Sequence, residues 1–199
     1  SFKQISTDYR SSQIREALRL LTLAGIVVPV VSTSGNGIPL EAEANDKHMK
    51  LLFLDAGLLL TVLQLGGGLA QQLVQFIMTG NAQELVNKGG VIEMVVGLEI
   101  LRNKPAIQRQ KMYYWEKSGK SIAEIDYLDI RNLKIMPIEV KSGTKGGMKS
   151  LWTFMREKHL TEAIRCSLEN FGEFTYVDIE DGEAQRHVTI VPVYALSQF

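Results

Sequence analysis

The sequence predicts an α/β protein built on a mixed sheet flanked by helices. Three observations lead there. Helical and strand periodicities alternate along the chain, and the middle third holds three strands joined by short turns. Of the 199 residues 45% are apolar and 22% charged, the balance of a folded chain long enough for one large core or two small ones.

The first elements make a helix followed by a hairpin. Ser11-Ser12 followed by Ile14, Ala17, Leu18, Leu21 and Ala24 is an amphipathic helix that Gly25 ends. Ile26 to Val31 reads as a strand, and Lys50 to Leu54 as a second that pairs with it across a polar and then acidic loop. Helix and hairpin suggest a winged-helix-like unit within an N-terminal helical subdomain, residues 1–80. The helix offers only Arg15 and Arg19 besides Arg10, and the loop is acidic at Glu41, Glu43 and Asp46, so protein packing is favoured over DNA reading. Asp55 is placed to cap the next helix. The uncharged stretch from Ala56 to Gln83 is broken by glutamines and by Gly66-Gly67-Gly68, which favours two short buried helices over a membrane span.

The second domain, residues 81–199, opens on a helix from Ala82 to Asn103, interrupted at Gly89-Gly90 and closed by Pro105. Glu93 and Glu99 lie about 240° apart around it, so they cannot face one site. Strands follow at Lys111 to Glu116, Ser121 to Ile130 and Leu133 to Lys141, a three-strand meander. The glycine-rich run Ser142 to Gly147 lacks the order of a P-loop and reads as a strand-to-helix connection. Met148 to Lys158 is helical, with Leu151, Trp152 and Met155 as its apolar stripe. Ala163 to Leu168, Phe174 to Ile179 and Val188 to Tyr194 complete the strands.

Charge is unevenly spread. Arg102 to Lys158 carries 13 basic and 6 acidic residues in a chain whose totals are 22 and 22. A locally basic segment suits a phosphate-bearing partner, although solvated surface lysines would produce the same excess. Cys166 is the only cysteine, so no intrachain disulfide or cysteine-rich zinc site can form, and a reducing, cytoplasmic location is expected. His48, His159 and His187 show no ligand spacing.

The basic segment contains the chain's most chemically suggestive pattern. Strand alternation puts Glu124 and Asp126 on one face, and Glu139 and Lys141 together on the neighbouring strand. Buried charges of this kind either neutralise one another as ion pairs or hold a metal. If the helix brings Glu93 to the same point as Asp126 and Glu139, these three carboxylates raise one another's pKa unless a cation is bound. Oxygen ligands point to Mg²⁺ or Mn²⁺. In phosphodiester hydrolysis such an ion polarises a phosphoryl oxygen, while Lys141 orients the nucleophile or stabilises developing negative charge.

Asp126 with Glu139-Val140-Lys141 resembles the PD-(D/E)XK nuclease superfamily, which has an acid on one hairpin strand, (D/E)xK on the next and often a glutamate on the preceding helix. More narrowly, Pro39-Leu40, Lys50 to Leu58, Glu93 to Leu101, Tyr114-Trp115, Glu124 to Tyr127, Ile138 to Gly143 and Pro192-Val193-Tyr194 resemble, in order, the uncharacterised C-terminal domain of prokaryotic AAA-type ATPases. The resemblance implies a restriction-endonuclease-like fold, a nuclease-like site of Glu93, Asp126, Glu139 and Lys141, and a metal held by Asp126, Glu139 and Glu93. It also implies an ATPase module preceding this domain; no Walker A run occurs in these 199 residues. The expected function is Mg²⁺-dependent cleavage of DNA, with a non-catalytic nucleic-acid- or partner-binding module of the ATPase as the alternative.

Overall fold

The computed structural model describes residues 9–55, 57–58, 88–105, 111–117, 122–143 and 147–198. The expected domain boundary at residue 80 lies outside them, as does the uncharged stretch from Ala56 to Gln83 apart from Gly57 and Leu58. At its edge the Asp55 carboxylate accepts the Leu58 N–H at 3.0 Å, the capping contact expected of it.

Helix α1 (Ser11–Leu23) starts where the Gln13 side chain accepts the Arg10 N–H at 2.9 Å, and it stops before Gly25, whose φ of +68° suits glycine. It buries none of its residues, and Leu20, Leu21 and Leu23 remain exposed. Strands β1 (Val27–Thr33) and β2 (Ala44–Phe53) form the expected antiparallel hairpin. That hairpin continues into the main sheet, because β1 also pairs in parallel with β3 (Met112–Lys117).

From β3 the chain runs antiparallel through β4 (Ala123–Arg131) and β5 (Lys134–Lys141), the predicted meander. Helix α3 (Lys149–Glu157) then crosses over to β6 (Glu162–Ser167), which lies parallel to β5. Strand β7 (Gly172–Asp178) forms the far edge, and β8 (Ala184–Pro192) returns between β6 and β7. The described residues thus form a mixed α/β fold around an eight-stranded sheet of order β2-β1-β3-β4-β5-β6-β8-β7. Central strands covered on both faces need apolar residues on both, which explains the apolar run Ile135-Met136-Pro137-Ile138 of β5.

Helix α2 (Lys88–Arg102) and the short 3-10 segment Val193–Gln198 cover one face of the sheet, with Ile92, Val96 and Ile100 against Val30, Tyr127 and Ile138. Gly89-Gly90, expected to interrupt this helix, lies within its described span. The other face packs against α3 through Leu151, Phe154 and Met155, at the i, i+3, i+4 spacing of one helical stripe. Phe154 takes the place that the sequence reading gave to Trp152, and its ring lies 4.9 Å from that of Trp115. Trp152 is half-buried and stacks on Tyr176 at 4.5 Å.

A buried polar knot ties α3 to β7 and β8. Arg186, 1% exposed, donates to Asp178 at 3.2 Å, to the Leu160 and Met155 carbonyls at 2.7 and 3.2 Å, and to Asp181. Arg156 bridges to the same Asp178 from the helix. A guanidinium this deep is tolerated because its donors find acceptors in a planar fork. No helix of the described residues is long and apolar enough to cross a membrane.

Candidate functional site

The site forms where β4 and β5 part. Their pairing runs from Arg131↔Lys134 to Tyr127↔Ile138 and stops there, leaving Asp126 and Glu139 across the mouth of the fork. The Asp126 carboxylate accepts the Val140 N–H at 2.7 Å, satisfying a donor that the ladder no longer reaches.

A β-bulge aims Asp126. Between Leu128 and Ile125 strand β4 advances three residues, while its partner β3 advances two, from Tyr113 to Trp115. The extra residue lets Tyr127 join Asp126 on the α2 side, where strict alternation would have turned it away. The Tyr127 hydroxyl then donates to the Glu93 carbonyl oxygen at 2.7 Å.

Glu93 comes from the outward edge of α2 and Glu124 from β4, two residues before Asp126. The three acids each present a carboxylate oxygen within 4.8 Å of the others. Lys50, on β2, joins them: its ammonium lies 2.8 Å from Glu93 Oε1, contacts Glu124, and sits 4.8 Å from the centre of the Tyr114 ring. Burial opposes its charge, and the two glutamates more than restore it, so its pKa is raised.

The pKa of Asp126 is pushed up to about 7, first by burial and then by the Glu139 and Glu93 charges, against the Val140 hydrogen bond. Glu139 is 4% exposed, and burial likewise raises its pKa, partly offset by its ion pair with Lys141. Its second oxygen, Oε2, is buried with no hydrogen-bond partner. Ile138 and Val140 face α2, so alternation turns Glu139 and Lys141 to the α3 side.

Of the four residues predicted from the sequence, the fold brings Glu93 and Asp126 together. Glu139 lies across the fork from Asp126, and Lys141 is its ion-pair partner. Glu99 points elsewhere and pairs with Arg102 at 2.8 Å, as the helical spacing required. The sequence reading assigned no site role to Lys50 or Glu124. Glu124 was detectable as the residue sharing a strand face with Asp126. Lys50 carried only a faint signal, a lysine at the start of the apolar run Leu51-Leu52-Phe53.

The basic excess of Arg102 to Lys158 is largely matched in three dimensions. Lys111 pairs with Glu41 and Asp46, Lys104 and Arg131 with Asp129, and Arg156 with Asp178 and Glu180. Two of these partnerships draw on acids outside the segment, so the linear excess overstates the charge of this surface.

A mixed α/β sheet with an acidic cluster at the fork of two antiparallel strands defines the class of domain. Residues 88–195, more than half of the chain, match the model of a domain of unknown function, DUF4143, and the chain belongs to that family. No curated protein and no solved structure matches it.

Proposed function

We propose that this chain is a restriction-endonuclease-like, Mg²⁺- or Mn²⁺-dependent nuclease domain acting on DNA, the C-terminal part of a cytoplasmic AAA-type ATPase. The observation that carries this reading is the gathering of Glu93, Glu124 and Asp126 within 4.8 Å, with the Glu139 charge close enough to raise the pKa of Asp126. Three carboxylates sharing a single ammonium, that of Lys50, fit a hard, oxygen-liganded divalent ion better than they fit one another. Glu93, Glu124 and Asp126 would hold the ion, which would supply Lewis-acid polarisation of a phosphoryl oxygen.

The chain's own residues account for the rest. Asp126 is held in place by the Val140 N–H, and burial among neighbouring carboxylates raises its pKa while no cation is bound, so an incoming divalent ion would release its proton. Lys141, a quarter exposed at the end of β5, is placed to meet a phosphate from solvent while remaining paired with Glu139. The test is Mg²⁺-dependent cleavage of plasmid and single-stranded DNA. Loss of cleavage in Asp126→Ala and Lys141→Ala supports the reading, and a wild-type chain that neither cleaves DNA nor binds Mn²⁺ ends it.

One observation favours a second reading, a non-catalytic binding module of the ATPase. Lys50 already offsets Glu93 and Glu124, as a purely structural cluster would require. Salt-dependent DNA binding without cleavage, unchanged in Asp126→Ala, would select it.

A further inference from the structure

We infer that Lys50 is a resident counter-cation of the acidic cluster, which a divalent ion must displace before it can occupy the site. The inference rests on the metal-binding part of the proposed function. It concerns a residue of the edge hairpin, far in sequence from the acids it serves.

The geometry carries it. The Lys50 ammonium lies among the acids, 2.8 Å from Glu93 and in contact with Glu124, while Asp126 completes the same cluster without pairing to it. Two of the three carboxylates that a divalent ion would need are therefore already engaged by a single positive charge. Their oxygens lie within 4.8 Å of one another, so an ion bound among them would sit within a few ångströms of the ammonium. Two like charges a few ångströms apart in a half-buried site repel strongly.

The lysine has somewhere to go. Its side chain is 28% exposed and its ammonium rests over the Tyr114 ring, at the solvent edge of the sheet. A four-carbon stem can swing its head outward while the stem keeps its packing. β2 is the edge strand of the sheet, so this motion disturbs no strand beyond it. Glu139 lies near enough for its charge to act on both Asp126 and Lys50, and its buried Oε2 has no hydrogen-bond partner.

The consequence is a site whose resting state is already neutralised in part and whose metal affinity is set by competition. Lys50→Met keeps the apolar stem and removes the charge. Calorimetric titration of the 199-residue chain with Mn²⁺ alone should show Lys50→Met binding on the order of tenfold tighter than wild type, and Lys50→Arg binding like wild type. Without metal, Lys50→Met should melt at a lower temperature than wild type, and Mn²⁺ should raise its melting temperature by the larger increment. Equal or weaker Mn²⁺ binding by Lys50→Met overturns the inference.

A second measurement uses the wild-type chain and needs no variant to fold. Amine acylation read by mass spectrometry should find Lys50 protected in metal-free buffer and exposed to reagent at saturating Mn²⁺, with Lys134 as an unaffected reference. Unchanged Lys50 reactivity overturns the inference. Tighter Mn²⁺ binding by Lys50→Met without DNA cleavage by either protein would uphold Lys50 as the counter-cation and reject the nuclease reading. Cleavage by wild type with no gain in affinity for Lys50→Met would do the reverse, and absence of Mn²⁺ binding in both proteins would reject both.

Discussion

Tyr127 holds Glu93 in position: its hydroxyl donates to the Glu93 carbonyl oxygen at 2.7 Å, in a space that Gly97 leaves open. A Cβ built on Gly97 would lie 2.6 Å from that hydroxyl and 2.9 Å from Leu52. Glycine in the middle of α2 costs about 1 kcal/mol of helix propensity relative to alanine, so its presence there answers to packing.

Gly97→Ala is therefore expected to destabilise the fold by about 1–3 kcal/mol, overpacking outweighing the helical gain. Gly90→Ala serves as the control, since a Cβ there meets nothing within 4 Å, and it is expected to stabilise by roughly 0.5–1 kcal/mol. Urea denaturation of the two variants compares them directly. A neutral or stabilised Gly97→Ala would remove the packing explanation.

Asp126 makes stability depend on pH. Burial with the Glu139 and Glu93 charges raises its pKa from 3.8 to about 7, so between these values the folded chain keeps a proton that the unfolded chain has released. Its stabilising contribution is complete below about pH 4 and is lost as pH rises toward 7. In divalent-free buffer the wild type should lose on the order of 2 kcal/mol between pH 5 and pH 8, and Asp126→Asn should flatten that slope. A wild-type stability that rises over this range, with Asp126→Asn following it, would contradict the assignment.

Glu139 and Lys141 should behave as a coupled pair. Lys141→Met leaves a buried carboxylate without its cation and is expected to cost about 2–3 kcal/mol without metal. Glu139→Gln removes the buried charge and should cost about 1 kcal/mol or less. In the double variant most of the Lys141→Met penalty should disappear. Additive losses in this double-mutant cycle would show that the two side chains act independently.

Arg186 anchors the far half of the sheet. Arg186→Met takes a donor from the Met155 and Leu160 carbonyls and from the fully buried Asp178, and is expected to cost about 3–5 kcal/mol, visible as a large drop in thermal midpoint. Because this knot is remote from the fork, Mn²⁺ affinity measured well below that midpoint should not change. Weakened Mn²⁺ binding in a folded Arg186→Met chain would mean that the two regions are coupled.

Much of the architecture was readable in the chain. Period-2 alternation and turn residues located every strand of the meander, and an apolar stripe through Leu151 and Met155 located α3, with Trp152 in the place that Phe154 takes. Local signals of this kind depend on which face of an element is buried, and a sequence records that directly. The parallel pairing of β1 with β3 was not readable, since the partners are separated by a long stretch of chain and neither carries a mark of the other. The three-dimensional matching of the basic segment by Glu41, Asp46, Asp178 and Glu180 was hidden for the same reason.

The candidate site divides along that line. By itself the sequence determined that Glu124 shares a strand face with Asp126, that Glu139 accompanies Lys141, and that Glu93 and Glu99 must part company, because these follow from the repeat of a strand or a helix. Only the tertiary structure decided that a β-bulge brings Tyr127 beside Asp126, that β4 and β5 fork between Asp126 and Glu139, and that Lys50 sits among the acids. A bulge and a fork are set by the competition of whole strands for partners. The position of Lys50 depends on which edge of the sheet its hairpin joins, and no local spacing encodes that choice.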